Sequence, residues 1–219
     1  MKTLLKFCHN SKVKHGFVVF LLLCIFIFIS AISYVNAVST EISNSVFRLH
    51  VIANSDSSED QNLKYLVRDA LIEYMNTISS NCSSKEEIIS IAKNHKNEFY
   101  EIAKKVIYEN GYNYSVNINI GNFEFPTKDY GDISLPAGSY DALRVEIGEA
   151  SGQNWWCVMF PPLCFVDVTS GIVPEESKNI MKENLSEEGY SVISNNESSQ
   201  IHFKFGLIEM LQNIRFANK

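Results

Sequence analysis

The sequence predicts an α+β fold: a single domain in which helices pack on one face of an antiparallel sheet. Three observations carry this reading. Apolar residues alternate with period two in several short stretches, and they recur at helical spacing in two longer ones. Along the chain a strand comes first, then two helices, then a run of strands joined by short turns, which is the segregated order of α+β domains.

The elements follow in that order. Ser45 to Ala53 alternates, with Phe47, Leu49 and Val51 on one side and Arg48 and His50 on the other, as a half-buried strand does. Asn54-Ser55-Asp56-Ser57 supplies turn chemistry, and Ser57 with Asp60 resembles a capping box. Leu63, Leu66, Val67, Ala70, Leu71, Tyr74 and Met75 predict an amphipathic helix over residues 59–76. Ser84 and Glu87 form a second capping box. From there Ile88, Ile91, Ala92, His95, Phe99, Ile102, Ala103 and Val106 predict one helix face running to a stop at Gly111. Tyr114, Val116, Ile118 and Ile120 then alternate with polar residues as a strand with one wet face. Residues 124–139, with Pro126, Gly131, Pro136 and Gly138, read as an ordered loop. Leu143, Val145 and Ile147 alternate again. Ser151-Gly152-Gln153 is short enough to join that strand to Trp155–Phe160 as a hairpin, and Pro161-Pro162 ends the second strand. A weaker helix is expected over 175–189 and a polar loop over 194–200. A last short strand at Ile201, Phe203 and Phe205 and a helix around Leu207–Ile214 complete the domain.

The N-terminus reads as an export signal. Lys2, Lys6, Lys12 and Lys14 precede an apolar core from Phe17 to Ile29, and Val35-Asn36-Ala37 supplies a small-residue cleavage site, the order a secretory leader requires. Cleavage after Ala37 is expected, giving a signal peptide over 1–37 and a globular domain over 38–219. An uncleaved anchor over residues 17–34 is the alternative. Residues 1–37 hold four of the 19 basic residues and no acidic one, so the remainder sets 15 basic residues against 25 acidic, a formal net of −10. Such a surface argues against nucleic acid, whose phosphates need compensating Lys and Arg, and against anionic lipid headgroups.

No G-x-S-x-G elbow, H-E-x-x-H pair, P-loop or dinucleotide glycine fingerprint occurs, and no cofactor, metal or small-molecule substrate is expected. His50, His95 and His202 are scattered, without the close spacing of a ligand pair. His95, on the apolar face of its helix, reads as a core histidine with one hydrogen bond. The one arrangement with catalytic potential is Cys157 or Cys164 with His202, since a thiol nucleophile needs a base beside it. Against it, two cysteines seven positions apart in an exported chain are expected to pair; two buried thiols are the third reading. Cys82, in a polar loop between helices, is then left over. Arg48, His50, Asn54, Asp56, Arg68 and Asp69 cluster around the first strand-to-helix turn. They read either as a solvated face with a cap or as a recognition patch. Trp155 and Trp156 point to opposite sheet faces, so either both serve the core, the favoured reading, or one is half-exposed and Trp155 acts as an interface anchor.

Several segments together resemble the stage II sporulation protein R family of endospore-forming, low-GC Gram-positive bacteria. They are Phe47 to Asp56, Asp60-Gln61-Asn62-Leu63-Lys64, Val67-Arg68-Asp69-Ala70, Pro126-Thr127-Lys128-Asp129-Tyr130, Leu135 to Tyr140 with Ala142-Leu143-Arg144, and Asn154 to Phe165. The resemblance covers residues 46–170, and the part from 175 to 219 is less distinctive. It implies a non-enzymatic signal, made in the forespore and exported into the space between the forespore and mother-cell membranes. There it would trigger a membrane-embedded aspartic protease that processes the precursor of sigma E. The resemblance transfers no catalytic residue. A ligand of that kind leads to the expectation that Arg48, His50, Asn54, Asp56, Arg68, Asp69 and Trp155 contact the partner. The alternative is a secreted cysteine-dependent hydrolase acting on wall peptide.

Overall fold

The computed structural model describes residues 11–80, 82–164 and 173–194. The chain divides into two compact units, Met1–Val38 and Ser39–Lys219. In the first, helix α1 (Ser11–Ser45, whose last residues belong to the second unit) carries an apolar stretch with mean hydropathy 2.9, long enough to cross a membrane.

The second unit is α+β. Its elements are β1 (Phe47–Ile52), α2 (Ser58–Ile78), α3 (Lys85–Asn94), α4 (Lys96–Glu109), β2 (Val116–Phe125), β3 (Lys128–Tyr130), β4 (Ile133–Leu135), β5 (Gly138–Ile147), β6 (Asn154–Phe160), α5 (Glu175–Asn184) and α6 (Glu187–Ile193). Both expected capping boxes are present: Ser57 accepts from the Asp60 N–H, and Ser84 from the Glu87 N–H. Phe47, Leu49 and Val51 meet Leu63, Val67 and Leu71 of α2, Ile88 of α3, and Phe99 and Ala103 of α4 in one apolar core. Helices therefore cover the face of the sheet that alternation assigns to them.

The sheet is mixed rather than antiparallel, which corrects the expectation. Its order is β2-β5-β1-β6, and β1 runs parallel to β5 and antiparallel to β6. The expected hairpin between the strands ending at Ile147 and starting at Asn154 does not form, because β1 lies between them. Each of those strands gains more from pairing with the fully buried β1 than from pairing with the other across an exposed turn.

Three boundaries also differ. The helix expected from Ser84 to Gly111 is two helices that break at His95, where the backbone leaves helical geometry (φ −102°, ψ 21°). The Tyr74 hydroxyl lies 2.7 Å from His95 Nδ1 and holds the corner. The expected loop at 124–139 contains the end of β2, the small β3–β4 hairpin and the start of β5. The helix expected over 175–189 is interrupted at Leu185, because Ser186 caps a new helix by accepting from the Gly189 N–H. The expected strand at 201–205 and helix at 207–214 lie outside the described residues.

Candidate interaction surface

Arg48 and His50 are placed by alternation on the face of β1 away from the helices, but that face is not solvent. Arg48 is 0% exposed and His50 5% exposed, which corrects the expectation of an exposed pair. β1 is a central strand, and Tyr130 from β3 together with Phe125, Tyr140 and Trp156 closes over it. The Arg48 guanidinium sits 4.1 Å from the Phe125 ring centroid and 4.7 Å from that of Tyr140. Its Nη2 donates to the Tyr130 hydroxyl (2.6 Å), and that hydroxyl donates to the Trp156 carbonyl (3.3 Å). Among the described residues Arg48 Nε and Nη1 have no hydrogen-bond partner, so the aromatic faces are what stabilise the charge. His50 stacks on Trp156 at 3.6 Å and donates through Nε2 to Asn154 Oδ1 (2.7 Å). Burial lowers its pKa to about 4, with Arg144 and Arg48 adding repulsion and the Asn154 hydrogen bond opposing them.

Asn54 and Asp56 tie the turn after β1 to the loop between β5 and β6. Asn54 Nδ2 donates to Asp60 Oδ2 (2.8 Å), and Asn54 Oδ1 accepts from the Glu149 N–H (3.0 Å). Asp56 Oδ1 accepts from the Gln153 N–H (2.8 Å). The two segments are so close that a Cβ on Gly152 would stand 2.1 Å from the Ser55 carbonyl oxygen, and one on Gly148 the same distance from Asn54 Oδ1. Burial raises the Asp60 pKa, but hydrogen bonds from Ser55, Asn54, Tyr114 and Ser57 outweigh it and hold the carboxyl below its ordinary value. Asn54 and Asp56 therefore lock the fold of this corner.

Arg68 and Trp155 meet between α2 and β6, both partly buried: the Arg68 side chain is 18% exposed, and Trp155 Nε1 is buried without a hydrogen-bond partner among the described residues. Trp155 points to the helix side of β6, opposite Trp156, and the Arg68 guanidinium lies 4.2 Å from its ring centroid. Tyr65, one turn earlier on α2, completes the group: its ring is 84° to that of Trp155 at 5.4 Å, and Arg68 is 4.9 Å from it. Asp69 pairs with Arg68 at 2.7 Å, and Tyr65 and Leu66 are 36% and 45% exposed. The result is a rigid aromatic platform with a cation laid across it and an apolar residue beside it, the composition of interface anchors. Tyr65 escaped the sequence reading. Its i, i+3 spacing from Arg68 was the available signal, but only β6 docking beside α2 brings in Trp155.

Cys157 and Cys164 form a disulfide, with Cα atoms 5.2 Å apart, and so neither sulfur is a thiolate. Cys82 is free, and burial and then Glu87 push its pKa up. His202 lies outside the described residues. Among the described residues no three His, Cys, Asp or Glu side chains converge as a metal site would require.

The stage II sporulation protein R profile matches residues 43–170, more than half of the chain and nearly the stretch on which the resemblance rests. The chain belongs to this family. A family protein of Bacillus subtilis (strain 168), stage II sporulation protein R, is 38% identical over 138 residues. That alignment spans 63% of this chain and 62% of the relative's length. No solved structure matches. Family membership gives the chain a sporulation role, and the matched region contains the corner lock, the buried Arg48 and His50, the disulfide and the platform.

Proposed function

We propose that this protein is an intercompartmental signal of endospore formation. It is exported from the forespore into the intermembrane space and activates, by contact, a membrane-embedded aspartic protease that processes the precursor of sigma E. Family membership, an N-terminal apolar helix suited to export or anchoring, and a disulfide suited to an oxidising compartment support this reading. The observation that carries the contact mechanism is the Tyr65–Arg68–Trp155 platform, because its Tyr65 rim and the adjoining Leu66 are exposed whereas Arg48 and His50 are buried. Arg68 and Trp155 therefore remain the proposed contact residues, with Asp69 at their rim. Arg48, His50, Asn54 and Asp56 act by holding the domain in shape.

Arg68→Glu tests the proposal. The Arg68 side chain is 18% exposed and the variant loses its two ring contacts and its pair with Asp69, so it should be secreted and unfold cooperatively at a cost of about 1–2 kcal/mol. Processing of the sigma-factor precursor in the neighbouring compartment should fall at least about tenfold, the effect of losing a centrally placed arginine anchor. Normal processing by the folded, secreted variant would remove the platform from the mechanism.

A further inference from the structure

The sheet has two edges, and the fold treats them differently. At the β6 edge two carbonyls are engaged: Trp156 accepts from the Tyr130 hydroxyl (3.3 Å) and Val158 from the Leu163 N–H (3.1 Å). The β2 edge has no such closure. The Gly148 N–H donates to the Ser115 carbonyl (2.8 Å), which turns the odd-numbered residues of β2 toward β5. The backbone N–H and C=O groups of Val116, Ile118, Ile120, Asn122 and Glu124 therefore point away from the sheet. Among the described residues none of them has a backbone partner.

Exposed edges are normally blunted by lysine, proline, a bulge or a very short strand. β2 has none of these. It is ten residues long, its pairing with β5 runs without a register shift, and Glu124 is its one charge in a strongly acidic chain. The side chains of its outward-pairing residues lie on the helix side, where Val116 and Ile120 are only partly buried.

We infer that the β2 edge pairs with the β2 edge of a second copy of this chain, antiparallel, making one sheet of eight strands across the pair. An antiparallel register centred on Ile120 brings the five outward-pointing residues of one copy against those of the other without a charge clash. In that register Ile120 faces Ile120, Ile118 faces Asn122, and Val116 faces Glu124, so no charge meets a like charge. The outward groups of all five residues are satisfied at once, and the half-buried Ile120 and Val116 are covered. Symmetric pairing of one patch with itself is the commonest form of homodimer.

The test uses the full chain in detergent micelles. Particle mass by light scattering should correspond to two chains, and Ile120→Pro should halve it. The Ile120 N–H faces outward, so proline there leaves the β5 ladder intact, and thermal unfolding should remain cooperative. Ile120→Cys supplies a reading independent of that variant's folding. Opposed residues in a hydrogen-bonded antiparallel pair have Cα atoms about 5.5 Å apart, within disulfide range, so oxidation should link the two chains. Asn122→Cys should not link beyond the parent's background, because in this register its counterpart is about 14 Å away. A single-chain particle would overturn the inference and leave the edge to another strand, either the one expected at 201–205 of this chain or one from another protein. A dimer that survives Ile120→Pro, or linkage at 122 instead of 120, would overturn it as well.

Discussion

His50 stacks on Trp156 with Nδ1 unpartnered among the described residues, and burial lowers its pKa from 6.5 to about 4. The unfolded chain takes up this proton near pH 6.5, whereas the folded chain resists it until about pH 4. The stabilisation is therefore complete above pH 6.5 and is lost progressively as pH falls through that window. Replacing His50 with Phe should remove this part of the acid sensitivity. The drop in melting temperature between about pH 7 and about pH 5 should be smaller in the variant than in the parent, since carboxylates titrate mostly below that range. Equal drops would show that His50 does not titrate across unfolding. Arg48, two residues away, raises the cost of charging His50, and Glu146 partly offsets it.

At the scale of elements, β6 is where covalent and non-covalent constraints converge. Its inward residues enter the core, its register with β1 is maintained from Arg48 to Ile52, and Cys157 is bonded to Cys164 beyond the diproline. Closing so short a loop should stabilise the fold by roughly 2.5 kcal/mol on the chain-entropy estimate. Thiol labelling of the exported protein, unfolded but not reduced, should leave both of these cysteines unmodified while Cys82 reacts. The Cys157→Ala/Cys164→Ala variant should unfold at lower denaturant concentration, and labelling of Cys157 and Cys164 in the parent would refute the bond in the native protein. The break between α3 and α4 has a different origin. No proline or glycine marks it; the Tyr74–His95 contact and the packing of two short helices on one sheet face place the corner there.

The whole molecule joins an apolar N-terminal helix to an acidic domain, and the two outcomes for that helix differ in mass. If the leader is removed at the expected site, the exported protein begins at Val38 and carries a formal charge near −10. Intact-mass measurement should find that species, free of the membrane. A membrane-bound species retaining Phe17–Ile29 would identify the helix as an anchor. In either form the domain keeps Glu41, which accepts from the Ser186 hydroxyl (3.0 Å) and backbone N–H, so the stretch just after the expected cut is tied into the fold.

Periodicity, capping chemistry and turn residues are local properties, and on their own they determined the strand at Phe47–Ile52, the capped helices, the division of β1 into an apolar and a polar side, and the opposed directions of Trp155 and Trp156. Motif identity determined the family. What tertiary structure decided is everything that depends on which strands become neighbours. Inserting β1 between β5 and β6 turned an expected hairpin into a mixed sheet and buried both sides of a strand whose alternation reads as half-wet. Alternation reports that Arg48 and His50 share a side; it carries no information about Tyr130 and Phe125 arriving from some 80 residues away to cover them. The same holds for the platform, where Arg68 and Trp155 are 87 positions apart and meet only because β6 docks beside α2. Side-chain direction is set by the backbone of each element, but exposure is set by what packs against it, and that information is not local.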